Sequence, residues 1–434
     1  MNPLPPAMAD VRLQLQQALE AHKARQLDRA EQGYRAVLQV APQHFDALQL
    51  LGVLLLQRGR NAEAAVILRD ALAVRPQAAE VLSNLAVALK NLKQFDAALQ
   101  AADRALAIAP AAVPALNNRG NILRLLGRFD EALASLGRAL ELQPDHLDAL
   151  CNRATTLASM GLLAEALAAH GDALRLRPLH GPSLQGQGDV LLRMGRRDEA
   201  VAAYESARAH GGDAAHIAFA LAALGVGEPP AAAPTDYVRN LFEAFANTFD
   251  ETLVGALRYR TPELIGSLVA QACPSGSLDV LDLGCGTGLS GIALRPVARR
   301  LVGVDLASNM LAKARQRAVY DELVQADILD DMRRREEDGF DLVVAADVLV
   351  YLGDLEAVFG ECRRIVRDGG RFVFSVEATT GDSPELRPSL RYAHSERYLR
   401  QLAIRHRFRW EASTSATLRL DKGVPIEGTI VMLR

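Results

Sequence analysis

The chain is 434 residues long, more than one compact core usually covers, so two or more domains are expected. Half of its residues are apolar, 23% are charged and the formal net charge is -3, which excludes a disordered chain and leaves no broad basic face for nucleic acid or an anionic membrane. The start, MNPLPPAMAD, lacks a secretory pattern, no stretch is apolar long enough to span a bilayer, and Cys151, Cys273, Cys285 and Cys362 form no CxxC pair, so a cytoplasmic protein with neither a disulfide framework nor a metal site is expected.

Pro42, Pro76, Pro110, Pro144 and Pro178 stand 34 residues apart, and Leu48, Leu82, Leu116, Leu150 and Leu184 keep the same step. So do Ala30, Ala64, Ala98, Ala132, Ala166 and Ala200. This period predicts six tetratricopeptide (TPR) repeats over residues 11–214 after a tail over 1–10, each a helix pair that covers its apolar face only by stacking on its neighbours. Gly52, Ala86, Gly120, Ala154 and Gly188 mark close approaches of paired helices, and Gly59, Gly127, Gly161 and Gly195 mark the turns between them. An all-α solenoid of this kind offers a concave surface for a protein or peptide; the alternative is a helical spacer.

Asn84, Asn118 and Asn152 lie one period apart where a first helix is expected to line the groove, with Asn91, Asn117 and Asn121 nearby. A carboxamide both donates and accepts, so such a column can hold the amides of an extended peptide. It resembles the asparagine ladder in the repeats of the O-linked N-acetylglucosamine transferases. Partner binding is therefore expected at Asn84, Asn118, Asn152 and Asn121, against the alternative of solvated surface.

The sixth unit replaces its closing proline with His210-Gly211-Gly212, and Ala214 to Leu224 reads as an amphipathic capping helix. Gly225 to Pro234, GVGEPPAAAP, cannot continue a helix and reads as a linker. Cap and linker are thus expected over 215–235 and a second domain over 236–434.

From Leu278 onward short β-branched runs alternate with helical ones, which predicts a parallel sheet covered on both faces. After the first strand, LDLGCGTGLSG from Leu281 to Gly291 supplies Gly284, Gly286 and Gly288, which let the chain turn tightly and bring bare backbone against a ligand. Gly286, Gly288 and Gly291 also satisfy GxGxxG, which alone would suggest NAD equally well. A second strand ends in Asp305, about 20 residues on, where a carboxylate can accept both ribose hydroxyls. Ser308 is the expected N-cap of the next helix. Asp327 ends a third strand, Phe340 opens a fourth and Arg371 to Val376 form a fifth.

With Asp282 two residues ahead of Gly284, the pattern DxGxGxG resembles the first motif of the class I S-adenosylmethionine-dependent methyltransferases. Together with the repeats, the chain is similar to predicted bacterial methyltransferases that carry TPR repeats. The resemblance implies an α/β Rossmann-like domain with a seven-stranded sheet whose last strand, Gly428 to Arg434, is antiparallel, and a helical lid over 236–273. It implies S-adenosyl-L-methionine as cofactor and S-adenosyl-L-homocysteine as product. Asp282, Gly284, Cys285, Gly286, Thr287 and Gly288 would face its methionine part, Asp305 and Leu306 its ribose, and Met310, Asp327 and Ile328 its adenine. Ala346, Asp347, Leu349 and Tyr351 would surround the sulfonium. Asp327 has a second reading as a helix cap.

Methyl transfer from a sulfonium needs alignment and exclusion of water more than a nucleophilic side chain. No Ser/His/Asp set or paired carboxylate motif occurs, and the candidates near the acceptor are Tyr259, Asp347, Tyr351, Tyr392 and His394. His394 precedes Ser395, a candidate cap of the helix from Glu396 to Arg405, and so reads equally as a loop residue; Tyr259 and Arg260 read as lid contacts or helix-end packing. Three functions are open on these grounds: a methyltransferase for a protein or peptide recruited by the repeats, a small-molecule methyltransferase whose repeats assemble a complex, or a non-enzymatic adaptor. Residues 379–394 read as a long loop able to enclose a small substrate. No nucleic-acid or membrane partner is expected.

Overall fold

The computed structural model describes residues 6–246, 249–250, 259–274, 276–421 and 423–434. The chain divides into two compact units, Met1–Pro178 and Leu179–Arg434.

The described part of the first unit is five helix pairs: α1 (Pro6–Lys23) and α2 (Leu27–Val40), α3 (Phe45–Gln57) and α4 (Asn61–Val74), α5 (Ala79–Asn91) and α6 (Phe95–Ile108), α7 (Val113–Leu125) and α8 (Phe129–Leu142), α9 (Leu147–Ser159) and α10 (Leu163–Leu176). α1 thus begins inside the stretch expected to be a tail. The alanines in phase, Ala30, Ala64, Ala98, Ala132 and Ala166, are all fully buried, because each sits where its helix crosses a partner. At Gly120 the crossing is so close that an added Cβ would lie 2.5 Å from Leu136. The turn glycines hold the left-handed conformation expected of them, with φ of 71° at Gly59 and 74° at Gly127, and Arg25 and Lys93 hold the equivalent places at 57° and 60°. First helices of successive pairs, α3, α5, α7 and α9, touch one another. They therefore line the inner side of the stack.

The second unit opens with a sixth pair, α11 (Gly181–Arg193) and α12 (Arg197–Ala209), then α13 (Ala214–Ala223) and α14 (Thr235–Phe245). α13 buries most of its length: His216, Ile217 and Phe219 to Ala223 are covered, while Ala214, Ala215 and Ala218 on one side are exposed. Its buried side packs through Phe219 on Tyr237 of α14 and on Tyr392, with ring centroids 5.6 Å and 6.2 Å away. The segment read as a linker is likewise docked. Ala232 bridges Leu352, the Gly353 and Asp354 amides donate to the Ala231 carbonyl, and the Ala233 amide donates to that of Tyr351 at 2.8 Å.

α15 (Thr261–Ala272) leads into the sheet. Its strands are β1 (Leu278–Leu283), β2 (Ala298–Asp305), β3 (Glu322–Gln325), β4 (Phe340–Ala345), β5 (Val366–Ala378), β6 (Glu385–Leu386), β7 (Tyr392–His394), β8 (Trp410–Asp421) and β9 (Val424–Leu433). The helices between them are α16 (Leu289–Leu294), α17 (Ser308–Arg317), α18 (Ile328–Arg334), α19 (Glu356–Ile365) and α20 (Glu396–Arg405). β3, β2, β1, β4 and β5 run parallel in that spatial order, β9 is antiparallel to β5, and β8 is antiparallel to β9. This is the expected seven-stranded sheet, with β6 and β7 added inside the stretch 379–394 that reads as a loop. The central strands are buried on both faces, as alternating helices require.

Candidate functional site

All five parallel strands of the sheet end on one edge, where an α/β fold opens its crevice. β1 leaves that edge through Gly284, at φ 64°, where any side chain would strike Val348: a Cβ would stand 2.3 Å from Cγ2. Its neighbour Gly286, at φ 55°, turns its amide into the site, donating to Asp305 Oδ2 at 2.9 Å. Asp305 Oδ1 accepts the Ala307 amide at 2.8 Å, so one carboxylate at the tip of β2 ties the glycine turn to the start of α17. Burial pushes this carboxyl up to about 6, against the backbone N–H bonds that favour its ionised form.

Around that carboxylate lies a cavity of about 420 Å³. Of the residues singled out in the sequence, Gly284, Cys285, Gly286, Thr287, Asp305, Leu306, Asp327, Ile328, Ala346, Asp347, Tyr259 and Tyr351 line it. Asp327 does so while also capping α18, accepting the Leu329 amide at 2.9 Å.

The others stand elsewhere. Asp282 is buried behind the turn, where Tyr320 Oη donates to it at 2.6 Å and its other oxygen has no partner; burial pushes it up to about 7. Gly288 faces Arg317 and Tyr320. Met310 is fully buried in a cluster with Ala246 and Ala307, against Phe242 and Phe249. Leu349 is fully buried in the sheet core. Tyr392 donates its hydroxyl to the Pro230 carbonyl and is absent from the cavity wall. His394 bonds the Leu352 carbonyl through Nε2 at 2.9 Å, so that nitrogen carries the proton, and burial pulls the ring down to about 4. Ser395 caps α20, accepting the Tyr398 amide. The start of α17 differs from expectation: Ala307 is its N-cap residue, and the cap comes from Glu243 of α14. Glu243 accepts the Ser308 amide and hydroxyl, both at 2.9 Å, and the Asn309 amide at 3.0 Å, because a buried carboxylate suits the positive end of a helix.

Glu243 thereby pins α14 as one wall of the site. From that helix Phe242 meets Tyr351 edge-on with centroids 5.5 Å apart. Asp250 accepts from Thr287 Oγ1 at 2.5 Å and pairs with Arg317. Residues 247–248 and 251–258 of the expected lid lie outside the described residues.

A buried ionic network closes the far end, and sequence reasoning missed it. Asp347 is a non-glycine residue at φ 60°, a strained conformation that concentrates at functional positions. Its amide donates to Ser375 Oγ at 2.8 Å, and its carboxylate takes two bonds from Arg419 at 2.9 Å and 3.2 Å. Arg419 also pairs with Glu377. Arg391 lines the cavity with its guanidinium 5.7 Å from the Tyr351 ring centroid, and its Nη1 lies 3.7 Å from Glu377 and 3.9 Å from Asp347. Among the described residues, Arg391 Nη1 and Tyr351 Oη are buried donors with no hydrogen-bond partner. Arg391 falls in the 379–394 stretch, which is the one sequence signal that could have found it.

A family model described as a methyltransferase domain matches residues 281–374, and tetratricopeptide repeat models match 113–146, 55–118, and 15–68 with 186–235. The biotin biosynthesis bifunctional protein BioHC of Saccharophagus degradans is 30% identical over 135 residues, covering 31% of this chain and 24% of that protein. The malonyl-[acyl-carrier protein] O-methyltransferase of Salmonella typhimurium is 33% identical over 138 residues, covering 31% and 54%. The ubiquinone biosynthesis O-methyltransferase of a Bradyrhizobium species is 32% identical over 106 residues, covering 24% and 41%. The chain spans about half or less of each of these relatives.

Proposed function

Because this chain joins tetratricopeptide repeats to a methyltransferase domain, we propose that it transfers the methyl group of S-adenosylmethionine to an acceptor on a polypeptide that the repeats recruit. The observation that carries the cofactor half is Asp305, a buried carboxylate beside an apolar-walled cavity whose glycine turn it holds open. The residues present suit an adenosyl ligand: Asp305 would accept the ribose hydroxyls, Asp327 the adenine amino group, and Leu306 and Ile328 would sandwich the base. The bare backbone of Gly284 and Gly286 leaves room for the methionine part. When bound, the cofactor supplies a methyl on a sulfonium, activated for displacement.

The chain's own residues then have three tasks. Phe242, Phe249 and Tyr351 exclude water from the reacting end, which strengthens every polar contact there. Arg419 fixes Asp347 at the cavity wall. Tyr351 Oη and Arg391 Nη1, which make no hydrogen bond within the described residues, would orient an oxygen-bearing acceptor for in-line attack. Asp347, held in place by Arg419, would stand beside the methyl-bearing end of the cofactor, whose sulfonium would supply the activated methyl group. His394 takes no proton, being neutral down to about pH 4 and turned to Leu352.

A second reading, a small carboxylate acceptor, draws on those same two donors: a guanidinium and a phenol together match a carboxylate. One relative's name, which concerns a malonyl group on a carrier protein, points the same way. Radiolabelled methyl transfer into a host lysate, followed by separation of protein from small molecules, decides between the two. Removal of residues 1–178 tests recruitment. Cofactor affinity should persist while methylation of the natural acceptor is lost; full-rate methylation by the truncated chain would refute recruitment.

A further inference from the structure

The inner side of the first unit carries two cations that folding leaves uncompensated. Lys90 and Arg124 stand one 34-residue period apart, in the last turns of α5 and α7. Both side chains are half-buried. Arg124 Nη2 donates to Asn121 Oδ1 at 3.0 Å, but its Nε is buried with no partner. Among the described residues neither cation forms an ion pair. Elsewhere in this unit Arg35 and Arg60 pair with Glu31 and Glu63, Arg58 with Asp28 and Glu31, Arg119 with Asp103, and Arg128 with Glu131.

The sequence of the inner helices explains the imbalance. α7 contains no aspartate or glutamate at all, and α5 has only Glu80, in its first turn, roughly 15 Å along the axis from Lys90 at 1.5 Å per residue. Burial depresses the Lys90 ammonium, and the nearby Arg124 charge depresses it further. Burial also pulls the Arg124 guanidinium down to about 10. Two like charges withdrawn from water without a counter-ion oppose folding, and such a cost persists where a ligand removes it.

The carboxamide column continues from this pair. Asn118 Nδ2 donates to Ser83 Oγ at 3.0 Å and Asn152 Nδ2 to Asn117 Oδ1 at 2.8 Å. Each link joins neighbouring repeats and spends one donor, so the column is a braced strip, less free to grip a peptide backbone than its spacing in the sequence suggests. Specific attraction then falls to the two cations beside it.

We propose that Lys90 and Arg124 form a receptor for the side-chain carboxylates of an acidic peptide segment, lying along the inner face of α5 and α7. The occupant is an Asp/Glu-bearing stretch of a protein partner, because a face on which α7 carries no acid and α5 only the distant Glu80, ending in two cations without ion pairs, is complementary to that charge. The guanidinium, oriented by Asn121, takes one carboxylate in a forked pair, and the ammonium takes the same or the next one. This deepens the recruitment reading by giving its partner a chemistry, and it rests on that reading only for its link to methylation.

The test uses the full chain and a fluorescein-labelled Gly-Glu repeat octapeptide, with its Gly-Gln counterpart as control, read by fluorescence polarisation. The wild type should hold the glutamate peptide at least tenfold more tightly, a preference that fades with added salt. Arg124→Gln and Lys90→Gln should each erase most of that preference while leaving the melting temperature of the free protein level or higher. Equal binding of the two peptides, or a preference that survives in the double variant, overturns the proposal. So does a clear fall in melting temperature in both variants, which would make the cations structural. Any of these leaves recruitment by the repeats standing, since that reading fails only if methylation survives loss of residues 1–178.

Discussion

Asp305→Asn separates cofactor binding from fold stability, because the two consequences of the change differ in size. The rise of this carboxyl from 3.8 to about 6 means that its ionised form costs about 3 kcal/mol at neutral pH in the free protein. An asparagine removes that cost but offers one acceptor where the Gly286 and Ala307 amides now use two, leaving one buried N–H unpaired at about 1–3 kcal/mol. These nearly cancel, so the free variant should unfold within about 2 kcal/mol of wild type. Cofactor binding has no such offset. Two bonds from ribose hydroxyls to a carboxylate are worth about 1.5–3 kcal/mol each, and the amide returns about 1; a net loss of about 3 kcal/mol weakens S-adenosylmethionine binding roughly 150-fold. The carboxylate must be ionised to accept both hydroxyls, so wild-type affinity should fall as pH drops below about 6, whereas the variant should be flat across that range. Isothermal calorimetry from pH 5 to pH 8, beside thermal melts, measures both. An unchanged dissociation constant, or a pH slope that survives in the variant, would refute the assignment.

Asp282→Asn should stabilise the ligand-free protein at pH 8 by up to about 4 kcal/mol and do nothing near pH 4. The folded state keeps this proton up to about 7 and the unfolded chain releases it near 4, so the contribution of Asp282 to stability is present at low pH and lost as pH rises through 7; melting temperature against pH for both proteins checks it. Glu243→Ala removes the acceptor for two α17 amides and the Ser308 hydroxyl, and should cost about 3 kcal/mol in urea unfolding and weaken cofactor binding, with Glu243→Gln intermediate. Arg419→Met leaves Asp347 and Glu377 without their buried partner; a loss of about 3–5 kcal/mol is expected, partly restored by adding Glu377→Gln.

What the sequence made legible was what folds locally. The helix pairs could be read because each crossing joins residues such as Gly52 and Leu68 within one repeat, and the glycine turn with Asp305 could be read because both lie in one strand–helix–strand unit. Partners distant in sequence could not. The α17 cap comes from Glu243, 65 residues before Ser308; the Asp347 counter-ion is Arg419, 72 residues on; and Tyr392 anchors Pro230 across 162 residues. Polar residues suffered most, since their type says that they need a partner and not which one. Asn118 and Asn152 were legible as a column, but their bonds to Ser83 and Asn117 depend on how one repeat rotates against the next.

The same distinction explains why the period misleads at the end of the array. Six units are equal in sequence, yet the sixth pair groups with the sheet, because the helix after it, α13, is apolar on every face. There Ile217, Phe219 and Leu221 are all fully or almost fully buried, and Tyr237 packs at a tilt against both Phe219 and His216. His216 in turn bonds Asp189 of α11 at 2.7 Å, as does the hydroxyl of Tyr204 from α12. A cut after residue 225 at the expected linker would strip these partners from Tyr237 and Tyr392 and loosen the segment carrying Ala232 and Ala233, which wall the cavity. The cut after Pro178 keeps them, so the two truncations should differ in cofactor affinity although they remove nearly the same repeats: a chain beginning at 179 binds like the full protein, and one beginning at 226 binds weakly or fails to fold. Equal affinity in both would mean that the sixth pair is a spacer, with no part in shaping the site.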